Sequence, residues 1–345
     1  MKAVVLTGLR EMALTERPDP EPGPGEVRLR VEAVGVCGSD VHYYTTGRIG
    51  SHVVEYPFMV GHECAGTVDR LGEGVRDLQV GQRVAVDPAM PCHACDQCEA
   101  GREHTCRNLR FLGCPDQAEG CLAEYLVMPA ESCFAVPEQM TAERAALSEP
   151  LTIGVYAVQQ SVPMAGTKVG VLGSGPIGLS VLAPALHGGA AAVYMTDRID
   201  ARCAVAREAG AHWAGNPDTQ DVVADVLRQE PQALDVVFEC AGQQESFDQA
   251  FELLKPGGKL MLIGIPEFDR YSFQADIARR REICIQHVRR QNNCARKTLD
   301  LVATGALNVD AMVTHRFPLE ETQKAFDLVA DYKDGVVKAM IRLDR

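Results

Sequence analysis

The sequence is short of positive charge. Its 34 lysines and arginines face 47 aspartates and glutamates, for a formal net charge of -13 at pH 7. That balance repels phosphate backbones and anionic lipid surfaces, so nucleic acid is not an expected partner. Also lacking is any apolar run of about 18 residues, the length a membrane-spanning helix needs. The N-terminal stretch meets Glu11 and Glu16 too early for the apolar core of a secretory signal. Neither internal repeats nor low-complexity segments interrupt the chain. These absences leave a soluble, cytoplasmic protein as the expectation. At 345 residues, 46% of them apolar, the chain exceeds the size of a single hydrophobic core and is expected to form two domains.

Cysteine, by contrast, is abundant. Thirteen occur between Cys37 and Cys294, and an odd, scattered set with no signal peptide argues against a disulfide framework. Reduced thiols and metal ligands remain. The stretch PCHACDQCEAGREHTC carries Cys92, Cys95, Cys98 and Cys106, and Gly101 and the polar residues between them permit a compact loop. Four thiolates with no spare position describe a closed tetrahedral zinc site that braces a lobe and leaves no room for substrate. Free surface thiols, an iron–sulfur cluster or a redox dithiol fit this spacing less well. His93 and His104 lie in the same loop and are expected to be solvated. A second donor set is spread more widely: Cys37 after one strand-like run, His62 and Glu63 at the end of another, and Glu149 beside Pro150 at the start of an apolar segment. One thiolate, one imidazole and carboxylates suit a catalytic zinc, which keeps a position open.

From about residue 151 the pattern changes to strands alternating with helices, the mark of a parallel sheet. KVGVLGSGPIGLSVLAPALHGG reads as strand, glycine turn and helix, with Gly173, Gly175 and Gly178 in G-x-G-x-x-G register and Asp197 ending the next strand. In that context the pattern is a dinucleotide fingerprint. The glycines let backbone approach a pyrophosphate at a helix N-terminus, and Asp197 accepts ribose hydroxyls and repels a 2'-phosphate, so NAD is preferred over NADP. Arg198 works against that preference, because a neighbouring arginine could pair with the phosphate. Strands continue through DVVFECAG, GKLMLIGI and EICIQHV, about six in all, whereas the N-terminal half alternates apolar and polar residues between many turns, as an irregular β-rich domain does.

Read in order, CGSDVHYY and GRIG, GHE, the four-cysteine lobe, SEPL, GSGPIG and VTHRFPLE resemble the zinc-dependent medium-chain alcohol dehydrogenases, in particular their polyol (sorbitol dehydrogenase) branch. The resemblance implies an α/β protein: a β-rich GroES-like catalytic domain over 1–150, a doubly wound Rossmann domain over 151–285, and a return to the catalytic domain over 286–345. It implies a catalytic zinc on Cys37, His62 and Glu63, with Glu149 either ligating or hydrogen-bonded to the zinc water, and a second, structural zinc on the four cysteines. Ser39 and His42 take the places of a proton relay, and Tyr43, Phe111, Glu149 and Arg289 those of substrate contacts. The cofactor contacts are Gly173, Gly175, Ile177, Gly178, Asp197, Arg202, Ile263, Gly264, Ile265 and Val288. The activity implied is oxidation of a polyol's secondary alcohol to a ketose with hydride transfer to NAD, in a site between the domains of a dimer or tetramer. Two departures stand in the substrate wall: Arg290 where an aromatic is expected, and Cys114 where a threonine is. A second guanidinium suits a carboxylate, so an L-idonate-type sugar acid is an alternative substrate, as is a threonine-type amino alcohol. A non-catalytic zinc ribbon would need the basic face that this chain lacks.

Overall fold

The computed structural model describes residues 1–343, which fall into two compact units. The first comprises Met1–Glu149, Ala295–Gly305 and the chain from Val313 onward; the second comprises Pro150–Cys294 and Ala306–Met312.

In the first unit the strand Glu26–Gly35 buries Val27, Leu29, Val31 and Ala33 at alternate positions, the period of a strand with one covered face. It pairs antiparallel with Glu63–Leu71, Tyr125–Pro129 and Lys338–Arg342, and so forms the centre of a seven-stranded sheet. Tyr44, Leu122, Met128 and Phe326 join its apolar residues in one core. This arrangement fixes both ends of the central strand. The chain leaves it at Gly35, passes Val36 and Cys37, and turns into the short helix Gly38–Thr46.

The second unit holds a wholly parallel six-stranded sheet. Across it the order is Trp213–Gly215, Ala192–Thr196, Lys168–Leu172, Leu234–Glu239, Leu254–Leu262 and Cys284–His287, the 3-2-1-4-5-6 order of a doubly wound dinucleotide fold. Its central strands read as near-continuous apolar runs because both faces are covered. The order reverses between Lys168–Leu172 and Leu234–Glu239, and the carboxyl ends of those two strands are where such sheets bind ligands.

The α/β architecture expected from the sequence is therefore present. Glu149 precedes an apolar segment, as expected, and lies with it in one helix, Ala142–Gln160, which continues through Pro150. Proline there leaves one carbonyl of the preceding turn without its N–H partner, and burial of the surrounding apolar residues offsets that loss. All thirteen cysteines are free thiols. Among the described residues, no helix is long and apolar enough to cross a membrane.

Candidate metal and cofactor sites

Cys37 is the N-cap of the helix Gly38–Thr46, and the acid at the third helical position, Asp40, bends back to accept its N–H at 3.4 Å. Asp40 is wholly buried. Its other oxygen accepts the Gly61 N–H at 3.2 Å and faces His62 Nδ1 at 3.2 Å. A carboxylate on Nδ1 fixes the proton there and leaves Nε2 as the donor atom for a metal. His62 precedes the strand Glu63–Leu71, and Glu63 is its first residue. The ligand atoms of Cys37, His62 and Glu63 lie within 4.8 Å of one another.

Glu63 is itself held. Both of its carboxylate oxygens accept from Lys338 Nζ, at 2.7 and 2.6 Å, and the same amine donates to the Val36 carbonyl at 3.2 Å. Lys338 and Glu63 are each 1% exposed. The carboxylate lies so close to the central strand that a Cβ on Gly35 would meet Glu63 Oε2 at 2.2 Å.

Charge is unbalanced here. Burial works against a protonated His62, yet Asp40 and Cys37 outweigh it and raise its pKa well above the usual imidazole value. Burial likewise opposes the Lys338 charge, and Glu63 and Cys37 restore it. Glu149 stands outside the close ligand set but feels the charges of His62 and Glu63, and burial pushes its pKa up to about 7. The Cys37 sulfur, the His62 imidazole and the Glu63 carboxylate, brought to one point, make a donor set that fits a divalent cation.

The remaining residues expected near this centre are placed as follows. Ser39 Oγ donates to Cys37 Sγ at 3.3 Å, and His42 follows one turn later, half-buried on the same helix. The Phe111 ring lies 5.3 Å from that of His62, centroid to centroid. Tyr43 is buried, with its hydroxyl 3.6 Å from Cys114 Sγ. Arg289 belongs to the second unit, beyond the strand Cys284–His287, and is exposed. Arg290 follows it in the left-handed region, φ 54°.

The four-cysteine lobe closes as its spacing requires. Sulfur–sulfur distances are 3.4 Å for Cys92–Cys106, 3.6 Å for Cys95–Cys98 and 3.9 Å for Cys95–Cys106. A tetrahedron of zinc–sulfur bonds has edges of about 3.8 Å, so the cage fits that ion. The Ala94 N–H and Cys106 bring Cys92 down to about 6, whereas burial pushes Cys98 up to about 12. His93 is exposed but bound between Glu103 and Glu131. His104, in the 3-10 turn Glu103–Thr105, is buried at 6% exposure, against the expectation of a solvated side chain.

In the second unit Gly173 has φ 103°, and a Cβ on Gly178 would meet the Gly173 carbonyl oxygen at 1.8 Å. Gly175 caps the helix Pro176–His187, with Ile177 in its first turn. Asp197 accepts the Ser174 N–H at 2.9 Å and the Ile199 N–H at 3.0 Å, and Arg202 stands 3.9 Å away. Burial raises the Asp197 pKa and Arg202 opposes the rise. Arg198 is exposed and paired with Asp218 at 2.8 Å. Ile263, Gly264 and Ile265 follow the strand Leu254–Leu262, and the Val288 N–H is bonded to the Leu262 carbonyl.

Sequence reasoning missed Asp40 and Lys338. The signal for the first was an acid three residues after a candidate ligand at a helix start. For the second it was a lysine inside the otherwise apolar run VVKAMI.

Known families match both units. The Alcohol dehydrogenase GroES-like domain matches residues 23–138 and the Zinc-binding dehydrogenase family residues 176–304. The chain is 34% identical to the sorbitol dehydrogenase of Bacillus subtilis, over 100% of this chain and 98% of that one. It is 32% identical to the L-idonate 5-dehydrogenase of Vitis vinifera, over 99% and 94%. Among solved structures, a zinc-binding dehydrogenase target of Sinorhizobium meliloti bound to NADP shares the fold at a TM-score of 0.91 and 33% identity, covering 99% and 98%. A short chain alcohol dehydrogenase of Escherichia coli complexed with NADH does so at 0.91 and 29%, covering 99% of both chains. The chain thus belongs to the zinc-dependent medium-chain alcohol dehydrogenase family, in its polyol branch, and is a nicotinamide-dependent oxidoreductase.

Proposed function

We propose that this enzyme oxidises a secondary alcohol of a polyol of the sorbitol or xylitol kind to a ketose, with NAD as the hydride acceptor and two zinc ions per chain. The observation that carries the reading is the Cys37–His62–Glu63 cluster in a chain that also has the complete dinucleotide fingerprint. Cys37, His62 and Glu63 would hold the catalytic ion, with Glu149 beside them, and Cys92, Cys95, Cys98 and Cys106 the structural one. A zinc bound at the first site supplies Lewis acidity that lowers the pKa of a substrate hydroxyl.

The chain's own residues do the rest. Asp40 holds the His62 ring through Nδ1, which would leave Nε2 for the ion, and Lys338 fixes Glu63. Ser39 Oγ, already donating to Cys37, and the His42 imidazole one turn on carry the substrate's proton outward. Tyr43 and Phe111 contact the substrate, and Arg289 supplies donors to polyol hydroxyls. Asp197 receives the adenosine ribose. NAD is favoured because Asp218 already occupies Arg198, which reduces the pull on a 2'-phosphate. Thirteen free thiols suit a reducing cytoplasm, and the family resemblance supports a dimer or tetramer.

A second reading, oxidation of an L-idonate-like sugar acid, is favoured by Arg290 beside Arg289 and by the likeness to an L-idonate 5-dehydrogenase. One assay separates the readings: NADH absorbance with sorbitol, xylitol, galactitol, L-idonate and L-threonine, each with NAD and with NADP. Turnover of polyols with NAD supports the proposal. Turnover of L-idonate alone transfers it to the sugar acid, and equal rates in chelated and zinc-restored protein would remove the catalytic-metal reading.

A further inference from the structure

Glu239 is wholly buried at the end of the strand Leu234–Glu239. It is in register with Leu172 on one side and Leu262 on the other, so it stands where the sheet order reverses, at the carboxyl ends of three central strands. The groups around it are nearly all backbone. Oε1 accepts the N–H groups of Ala241 at 2.8 Å and Gly242 at 2.7 Å and the Ser246 hydroxyl at 2.8 Å. Its own carbonyl accepts the N–H groups of Ile263 at 2.9 Å and Gly264 at 3.0 Å. Oε2 has no hydrogen-bond partner among the described residues.

Three loops meet there with no space to spare. A Cβ on Gly173, in the fingerprint loop, would meet the Ala241 nitrogen at 3.0 Å. One on Gly242 would meet the Ile265 carbonyl oxygen at 2.6 Å, and one on Gly264 the Gly242 nitrogen at 2.3 Å and Glu239 Oε2 at 2.7 Å. Burying an acid without a cationic partner is costly. An apolar residue would avoid that cost but leave the Ala241 and Gly242 N–H groups unpaired. The carboxyl therefore ties the 240–242 loop beside the glycine turn, and the main-chain carbonyl of the same residue ties 263–264. A doubly wound sheet receives the adenosine half of a dinucleotide on its first three strands and the nicotinamide half on the last three. Glu239 and both loops it clamps belong to the last three.

We infer that Glu239 is a positioning residue for the dinucleotide, its carboxyl holding backbone 240–242, against which 264 packs, in the shape that receives the nicotinamide half. The inference rests on the dinucleotide reading above and adds a residue to it. Glu239→Ala removes the acceptor, whereas Glu239→Gln keeps one carbonyl oxygen for the same donors. Binding to the whole protein is measured by fluorescence titration with NADH and by competition with AMP, which fills the adenosine half alone. Glu239→Ala weakens NADH by about tenfold or more and leaves AMP nearly unchanged, and Glu239→Gln restores most of the loss. Unchanged NADH affinity in Glu239→Ala, equal losses for NADH and AMP, or no rescue by Glu239→Gln overturns the assignment. If Glu239→Ala does not fold, hydrogen exchange of the wild-type protein decides. NADH slows exchange of the Ala241 and Gly242 amides and AMP does not, and an absence of slowing overturns the inference. Wild-type protein that binds neither nucleotide removes the dinucleotide reading itself, an outcome distinct from binding that ignores Glu239.

Discussion

Lys338 and Glu63 form a buried ion pair with two short contacts. Removing one partner of such a pair leaves the other charged in low dielectric and costs about 3–5 kcal/mol. Lys338→Met should therefore lower the unfolding free energy by that much, read from the denaturant midpoint at unchanged slope, and Lys338→Arg should recover part of it. An unchanged midpoint would mean that Glu63 needs no partner. Asp40→Ala removes the acceptor from His62 Nδ1 and should weaken zinc at this site by about 10–100-fold, read by competition with a chromophoric chelator. Cys37→Ser should abolish turnover while NADH binding and the thermal transition persist. Asp197 adds a pH dependence. Its folded-state pKa is raised from 3.8 by burial, with Arg202 opposing, so the folded chain holds this proton to higher pH than the unfolded chain does. The group's contribution to stability is thus present at low pH and is lost as pH rises through the raised value. Cofactor binding has the opposite sign, because the ribose hydroxyls need the ionised form as acceptor. NADH affinity should fall on acidification at a pH above that of a solvated aspartate, and Asp197→Asn should flatten that fall. The clusters that could hold a metal were legible in the sequence because thiol, imidazole and carboxylate are scarce chemistries in suggestive contexts. Asp40 and Lys338 were not, because a capping acid and a strand lysine have common structural uses.

At the scale of elements, the four-cysteine lobe is the clearest case of sequence determining geometry. Its four cysteines are local, three of them within seven residues, so spacing alone nearly fixes the cage. Cys95→Ser or Cys98→Ser should lose one zinc per chain by atomic emission and unfold at lower temperature, with a smaller effect on the rate of the chemical step than Cys37→Ser. Native stability without that zinc would count against a bracing role. The parallel strands were legible for a different reason. Covered on both faces, Lys168–Leu172 and Leu234–Glu239 read as unbroken apolar runs. The strand Trp213–Gly215 was missed because it is three residues long and ends in glycine. The length of the helix Ala142–Gln160 was obscured by Pro150, a residue that usually ends a helix and here does not.

At the scale of the molecule, two folds of different kinds share one chain, and their sequence patterns differ accordingly. One unit is an antiparallel and mixed sheet in which neighbours in space lie far apart in sequence; the other is a nearly sequential α/β array. The second was readable almost strand by strand, whereas in the first only the catalytic motifs and the general alternation were. The Lys338–Glu63 contact spans 275 residues, and this separation bears on how the protein is made. While the ribosome is still translating, Cys37, His62 and Glu63 emerge long before the amine that neutralises one of them. A nascent chain can present thiol and imidazole to a metal early, but it cannot complete the centre until the codon for residue 338 has been read and that strand has docked. Prematurely terminated products should accordingly be captured by chaperones as ion-poor, unfinished sheets.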